Sequence, residues 1–456
     1  MFRRILLVAV LLTAATLIAP GPASAQRKSL IEDTEIENTL RAFSTPLFKI
    51  AGLKASNVKI YIVNDATLNA FVTGGQKLFV NSGLIEQSES ANELIGVIAH
   101  ETGHIAGGHL SRVHDALFNA STSSILAFLL GGAATIATGR GDVGAAIAAG
   151  GQGVAARNFL AYSRTQEGAA DHAALGFLDK TGQSARGLLN FMERLEDQEL
   201  LSFAQQDPYV RSHPLARDRI EAVAAHVEKS AVSDAPEPPE FREIYDRMKA
   251  KLFAFLHPYA TTIARYAETD NSLRTRYARA IAEYRHSQLD RALALIDGLI
   301  AERPHDPYFH ELKGQMLFEN GRVVAAIDAY ATAAEILPDA PAIRRDLARA
   351  QLESHDAAVL DAAISNLEIA KINNQDSASI WRFLAIAHGR KGDMPRSYLA
   401  LGEEALLQGR PDVARFQAER AKESFPRGSR EWLQAEDILV ATGDLERALK
   451  REKDRQ

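Results

Sequence analysis

The residues in this chain best suited to chemistry are His100, Glu101 and His104, in the run Leu94-Ile95-Gly96-Val97-Ile98-Ala99-His100-Glu101-Thr102-Gly103-His104. The spacing of Leu94, Val97, Ile98 and Ile105 is that of a helix, and on a helix His100 and His104 stand one turn apart on the same face. Two imidazoles so placed can hold one zinc ion. Glu101 can take a proton from a water on that ion and later hand it to a leaving amine. The spacing therefore predicts metal-assisted hydrolysis of a peptide bond. A coincidental pair of helix histidines is the plain alternative, and a third ligand elsewhere in the chain separates the two.

That third ligand is expected in Tyr162-Ser163-Arg164-Thr165-Gln166-Glu167-Gly168-Ala169-Ala170-Asp171, which leads into an apolar helix. Glu167 and Asp171 fall one turn apart on one face. Glu167 can complete a two-His, one-Glu site and leave a fourth position for water. Asp171 can accept a hydrogen bond from the far nitrogen of a ligand histidine and so fix its tautomer. His172 points off that face and reads as structural. His109 and His114 read as bystanders, each off the His100/His104 face or too far along a helix expected to continue through Gly107-Gly108 to His114.

Composition narrows the options. The chain has 456 residues, is 46% hydrophobic and 24% charged, and carries a net charge of −6. Its length predicts two or three domains, and the mild negative charge gives no support to nucleic-acid binding. It has no cysteine, so any metal is held by histidine and carboxylate.

The elements that must position these residues are a helix from Ser29 to about Ile50 and a small sheet. Leu40, Phe43, Leu47 and Phe48 form the apolar side of the helix, and Pro46 can kink it. Val58–Val63 alternates, Ala70–Thr73 follows, and a Gly74-Gly75 turn leads into Lys77–Val80. Ser90-Ala91-Asn92-Glu93 has the spacing of a capping box that starts the histidine helix. A sheet edge just before that helix can take an extended substrate as a further strand, and a purely structural hairpin fits the sequence equally well.

The remaining stretches set the context. Arg3 and Arg4, the apolar run Ile5–Ile18 and Ala23-Ser24-Ala25 predict a cleaved signal peptide over 1–25 and a mature protein starting at Gln26, exported to a bacterial periplasm. Residues 121–153, rich in Gly and Ala, predict a pair of small-residue helices, packed inside the domain or set against a membrane surface or a partner. Ser233–Glu240 is a polar, proline-rich connector, which divides a peptidase domain (26–232) from a helical domain (241–456). Pro304 and Pro338 lie one 34-residue period apart, and Gly314, Ala326, Tyr330 and Ala333 sit where a tetratricopeptide repeat needs small or bulky residues. Trp381, Leu384 and Ala385 open another copy after a slip of phase around His355 to Ala363. Such a solenoid binds protein or caps the first domain.

The motif His100-Glu101-x-x-His104, the segment Ser163–Asp171 and Ser212-His213-Pro214-Leu215 with Arg219-Ile220 resemble the zinc peptidases typified by HtpX-type heat-shock proteases and CAAX prenyl proteases. The signal peptide and repeat tail are most similar to the periplasmic beta-barrel assembly-enhancing proteases of that group. The resemblance implies a mainly helical α+β architecture: a gluzincin-type metallopeptidase domain with a small β-sheet, followed by an α-α solenoid. It implies one zinc per chain on His100, His104 and Glu167, with Glu101 as general base. It further implies that His213, on a loop over the cleft, can take the fourth position and hold the enzyme latent. Arg219, near that loop, steadies the oxyanion or pairs with a nearby carboxylate. Implied clients are unfolded or misassembled outer-membrane β-barrel proteins, with the repeats contacting the outer-membrane assembly machinery. A chaperone or adaptor that cuts little is the competing function.

Overall fold

Four short strands form a sheet in the order β1-β2-β4-β3: β1 (Leu30–Ile31), β2 (Lys59–Val63), β3 (Ala70–Thr73) and β4 (Lys77–Asn81). The computed structural model describes residues 29–109, 153–201, 205–354 and 356–453. β3 and β4 are an antiparallel hairpin in which Phe71 faces Phe79, while β2 runs parallel to β4 with Tyr61 opposite Phe79. Alternation puts Ile60, Ile62, Leu78 and Val80 on the buried face. Tyr61, Phe79 and Phe71 stack in a row on the other.

The helix expected from Ser29 starts later. Leu30 and Ile31 pair with Val63 and Ile62 as an edge strand, and the Asp33 carboxylate accepts the Ile36 N–H at 3.0 Å. That cap starts helix α1 (Thr34–Ile50), whose Leu40, Phe43, Leu47 and Phe48 are fully buried.

Helix α2 (Ser82–Gln87) leads to α3 (Ala91–Ala106), which carries the two histidines. Ser90 Oγ accepts the Glu93 N–H at 3.2 Å. Glu93 reaches back to the N–H of Glu89 rather than Ser90, at 3.0 Å. Gly103 admits the next helix: a Cβ there would lie 2.7 Å from the Ala170 carbonyl oxygen. Helix α4 (Gly153–Thr181) therefore lies close enough for its carboxylates to meet the α3 imidazoles, and α5 (Arg186–Leu195) closes the other side of α3 at Gly96. The short α6 (Pro208–Ser212) and α7 (Arg217–Lys229) follow. The expected continuation of α3 to His114 does not occur. α3 ends at Ala106, and Gly108 takes a left-handed φ of 61° that turns the chain. His114 and residues 121–152 lie outside the described residues, as does the segment 1–25.

The chain divides into two compact units: one runs to Ile31 and from Phe43 to Glu237, and the other joins Glu32–Ala42 to Pro238–Gln456. The boundary falls inside the proline-rich segment, whose start up to Glu237 belongs to the first unit. Ser233 is buried, donates to the Val227 carbonyl at 2.5 Å and accepts from Ser184 Oγ at 2.6 Å. The second unit contains helices α8 (Pro239–Leu256), α9 (Tyr259–Arg265), α10 (Leu273–Arg285), α11 (Leu289–Glu302), α12 (Pro307–Glu319), α13 (Val323–Ile336), α14 (Pro341–Glu353), α15 (Leu360–Asn373), α16 (Ala378–Arg390), α17 (Met394–Leu407), α18 (Pro411–Ser424) and α19 (Arg430–Lys453). From α10 on, successive helices pack as hairpins. Gly314 is required where α12 meets α13, because a Cβ would lie 2.8 Å from the Tyr330 ring. The slip of phase appears as a 3-10 turn, Ala357–Val359, between α14 and α15.

Within this unit the first half of α1 sits in a buried charged seat. Glu35 Oε1 lies 2.8 Å from Arg247 Nη2, and Glu35 Oε2 accepts from the Tyr277 hydroxyl at 2.7 Å. Lys251 Nζ lies 2.8 Å from Asp33, and Arg247 Nη1 lies 2.6 Å from Asp306. Among the described residues no helix is long and apolar enough to cross a membrane.

Candidate metal centre

His100, His104, Glu167 and His213 each offer an atom to a common point, and these atoms all lie within 4.8 Å of one another. His100 and His104 come from α3, Glu167 from α4, and His213 from the turn between α6 and α7. His104 Nε2 is 3.1 Å from His100 Nε2, and His213 Nδ1 is 3.3 Å from that same His100 nitrogen. Glu167 Oε2 lies 3.3 Å from His100 Nε2 and 3.1 Å from His213 Nδ1, while its Oε1 lies 3.4 Å from His104 Nε2. A four-coordinate ion with bonds of about 2.0–2.1 Å needs its ligands roughly 3.3 Å apart, close to the distances of these pairs. All four residues are buried. Three imidazole nitrogens converging beside one carboxylate are a donor set that a cation satisfies, so the residues present fit a metal ion.

Glu101 lies alongside. It is fully buried, neither of its carboxylate oxygens has a hydrogen-bond partner, and Oε1 is 3.3 Å from His213 Nε2. Burial pushes its carboxyl above the ordinary value, against the pull of His213 and His100. A carboxylate so poised can take up a proton. The two ligand imidazoles of α3 are shifted in opposite directions. Burial opposes a charged His100, yet the hydrogen bond to Asp171 and the Glu167 carboxylate outweigh it and raise its pKa to about 10. Burial lowers that of His104 to about 4.

Asp171 sits where the sequence reading set it, one turn beyond Glu167, with Oδ1 2.8 Å from His100 Nδ1. Burial works against its charge, but the bonds from His100 and Arg219 hold it down at about 2. Arg219 takes the carboxylate-pairing option of its two. Its Nε and Nη2 donate to Asp171 at 2.6 and 2.9 Å, and its Nη1 donates to the Pro214 carbonyl at 2.6 Å, beside the His213 turn. Nη1 is also 3.2 Å from Glu167 Oε2. His172 is exposed, away from the centre.

Two residues of the site escaped the sequence reading. His109 is buried and lies with Nδ1 3.0 Å from His104 Nδ1. The Gly107-Gly108 pair was the available signal that the helix breaks and the chain turns back. Tyr209 packs its ring 4.8 Å from that of His213 and edge-on to Phe191. Its hydroxyl is held neutral, chiefly by burial and then by the Glu101 charge. Only its place four residues before His213 linked it to the site.

Residues 33–227 match the profile of Peptidase family M48. Over these residues the chain is similar to the peptidases of that family. Residues 277–341 match a tetratricopeptide repeat. The beta-barrel assembly-enhancing protease of Yersinia pestis is 22% identical over 392 residues, 84% of this chain and 78% of that protein. Its counterpart in Escherichia coli (strain K12) is 21% identical over the same shares. Metalloprotease YcaL of Escherichia coli (strain K12) is 28% identical over 170 residues, 37% of this chain and 60% of that protein. The chain is a metalloendopeptidase, and the matched stretch holds all the residues of the candidate centre.

Proposed function

We propose that this chain is a periplasmic zinc endopeptidase, exported by a cleaved signal peptide, that hydrolyses misfolded or misassembled envelope proteins, outer-membrane β-barrel proteins among them. The observation that carries the reading is the unbonded, buried Glu101 carboxylate beside four converging ligand atoms. His100, His104 and Glu167 would hold zinc, which when bound polarises a peptide carbonyl and acidifies water. Glu101 receives the proton of the attacking water and passes it to the departing nitrogen. Asp171 keeps His100 Nδ1 protonated and its Nε2 facing the centre.

His213 fills the fourth corner and crowds Glu101, so it must swing out before water and substrate enter. Its loop is the gate of a latent enzyme, tied down by the Arg219 bond to Pro214. β3 has β4 as its partner among the described strands. Its outer edge is the place for an extended substrate to add as a further strand. The repeat unit recruits clients and the outer-membrane assembly machinery, as the names of the relatives suggest. The closed His213 also favours a second reading, a chaperone or adaptor that rarely cuts.

The test compares mature wild type, Glu101→Gln and His213→Ala for bound zinc and casein hydrolysis. The proposal expects His213→Ala to cut several-fold faster than wild type, roughly, and Glu101→Gln to keep zinc and cut nothing. Equal inertness of all three with zinc bound would favour the adaptor.

A further inference from the structure

The two ligand histidines of α3 are backed by different chemistry. His100 Nδ1 meets a carboxylate, Asp171. His104 Nδ1 meets another imidazole, that of His109. We infer that His109 is the positioning residue of His104: as a neutral imidazole it accepts the His104 Nδ1–H on its own Nδ1, and so holds His104 with a bare Nε2 toward the metal. The inference rests on the zinc reading above.

Three observations carry it. The first is direction. His104 Nε2 is the nitrogen facing His100, Glu167 and the common point, so a metal-binding His104 must carry its proton on Nδ1. The atom 3.0 Å from that proton-bearing nitrogen is His109 Nδ1, which can only accept, and whose own proton then sits on Nε2. The second is the backbone. On a continuous helix a residue five beyond His104 would lie well off its face. The chain instead leaves the helix at Gly107 and turns at Gly108, with φ 61°, which brings the His109 ring edge-on to His104 at 5.0 Å between centroids. A Cβ on Gly107 would lie 2.4 Å from His109 Nε2. The glycine pair therefore permits both the turn and the seat of this ring. The third is charge. Glu101, Glu167 and Asp171 against Arg219 already balance a divalent ion, so a neutral partner leaves the buried centre uncharged where a second backing carboxylate would not.

The test measures zinc affinity of the full mature chain by competition with a chromophoric chelator, together with the unfolding midpoint of the metal-free protein. The variants are His109→Phe, which keeps a ring without an acceptor, and His109→Gln, whose carbonyl can accept. The expected result is a loss of about 10–100-fold in zinc affinity for His109→Phe. His109→Gln should recover most of it, and all three metal-free midpoints should match. Gly107→Ala should resemble His109→Phe, because it displaces the ring without altering it. Equal affinity for wild type and His109→Phe overturns the inference, as does an equal loss in Phe and Gln variants with a lowered metal-free midpoint, the mark of a packing residue. A wild type that binds no zinc overturns the metal reading as well. The first two results leave that reading standing.

Discussion

The metal centre of the first unit and the charged seat around Glu35 in the second both bury ionisable side chains, but they face them differently. In the seat, anion meets cation: Glu35 and Asp306 meet Arg247, and Asp33 meets Lys251. In the centre, donor meets donor. The ligand nitrogens of His100, His104 and His213 converge on the Glu167 carboxylate, and Glu101 stands unbonded beside them. The seat pairs its anions with two buried cations, which makes removing either cation costly. The centre offers its converging atoms to a cation, and in the function proposed above its unbonded carboxylate is the general base.

Perturbing each region should separate the two. The largest effect is expected for Glu101→Gln, which should lower casein hydrolysis by about 10⁴-fold, or ~5 kcal/mol of barrier, with zinc retained. Hydrolysis within tenfold of wild type would mean that Glu101 is not the base. Stripping the metal with a chelator comes next. At free zinc about 1,000-fold above Kd the ion contributes ~4 kcal/mol to the state that binds it, so calorimetry should show the transition of the first unit falling and that of the second holding. If both transitions fell together, the contrast between the units would be lost.

Arg247→Ala should do the reverse. Leaving Glu35 and Asp306 buried without their cation costs about 3 kcal/mol in denaturant unfolding of the second unit, with zinc content unchanged. The last effect is a pH-dependent one. Burial pushes the Glu311 carboxyl above its ordinary value despite Lys251 nearby, and Glu311 Oε2 has no hydrogen-bond partner. A carboxyl raised by folding contributes most at low pH and loses that contribution as pH climbs above its unfolded value. Glu311→Gln should therefore be near neutral at pH 4.5 and increasingly stabilising as pH rises toward 8. A gain of the same size at both would contradict the burial argument.

The legible parts of the sequence were those in which local spacing fixes a face. His100 and His104, and then Glu167 and Asp171, are helical neighbours whose convergence needs only that α3 and α4 touch, as Gly103 allows. The strands and the Gly314–Tyr330 contact follow from alternation and a 34-residue period in the same way. What stayed hidden depends on chain reversal or on packing remote in sequence. Leu30 and Ile31 continue a polar-apolar mixture that also suits a helix, and only pairing with β2 makes them a strand. His109 falls off the ligand face of a continuous helix, and only the turn at Gly108 brings it back to His104. Arg219 could have served an oxyanion or a carboxylate until Asp171 was seen 2.6 Å from it. His213 carries no spacing signal at all, and the family resemblance was what pointed to it.

The account turns on one ion at one point. The most direct measurement is anomalous diffraction at the zinc absorption edge from crystals of the mature protein grown with one equivalent of zinc. It predicts a single strong peak within about 2.0–2.2 Å of His100 Nε2, His104 Nε2, a Glu167 oxygen and His213 Nδ1, with the Glu101 carboxylate outside that shell. A peak elsewhere, or none with those four side chains in the same places, would contradict it.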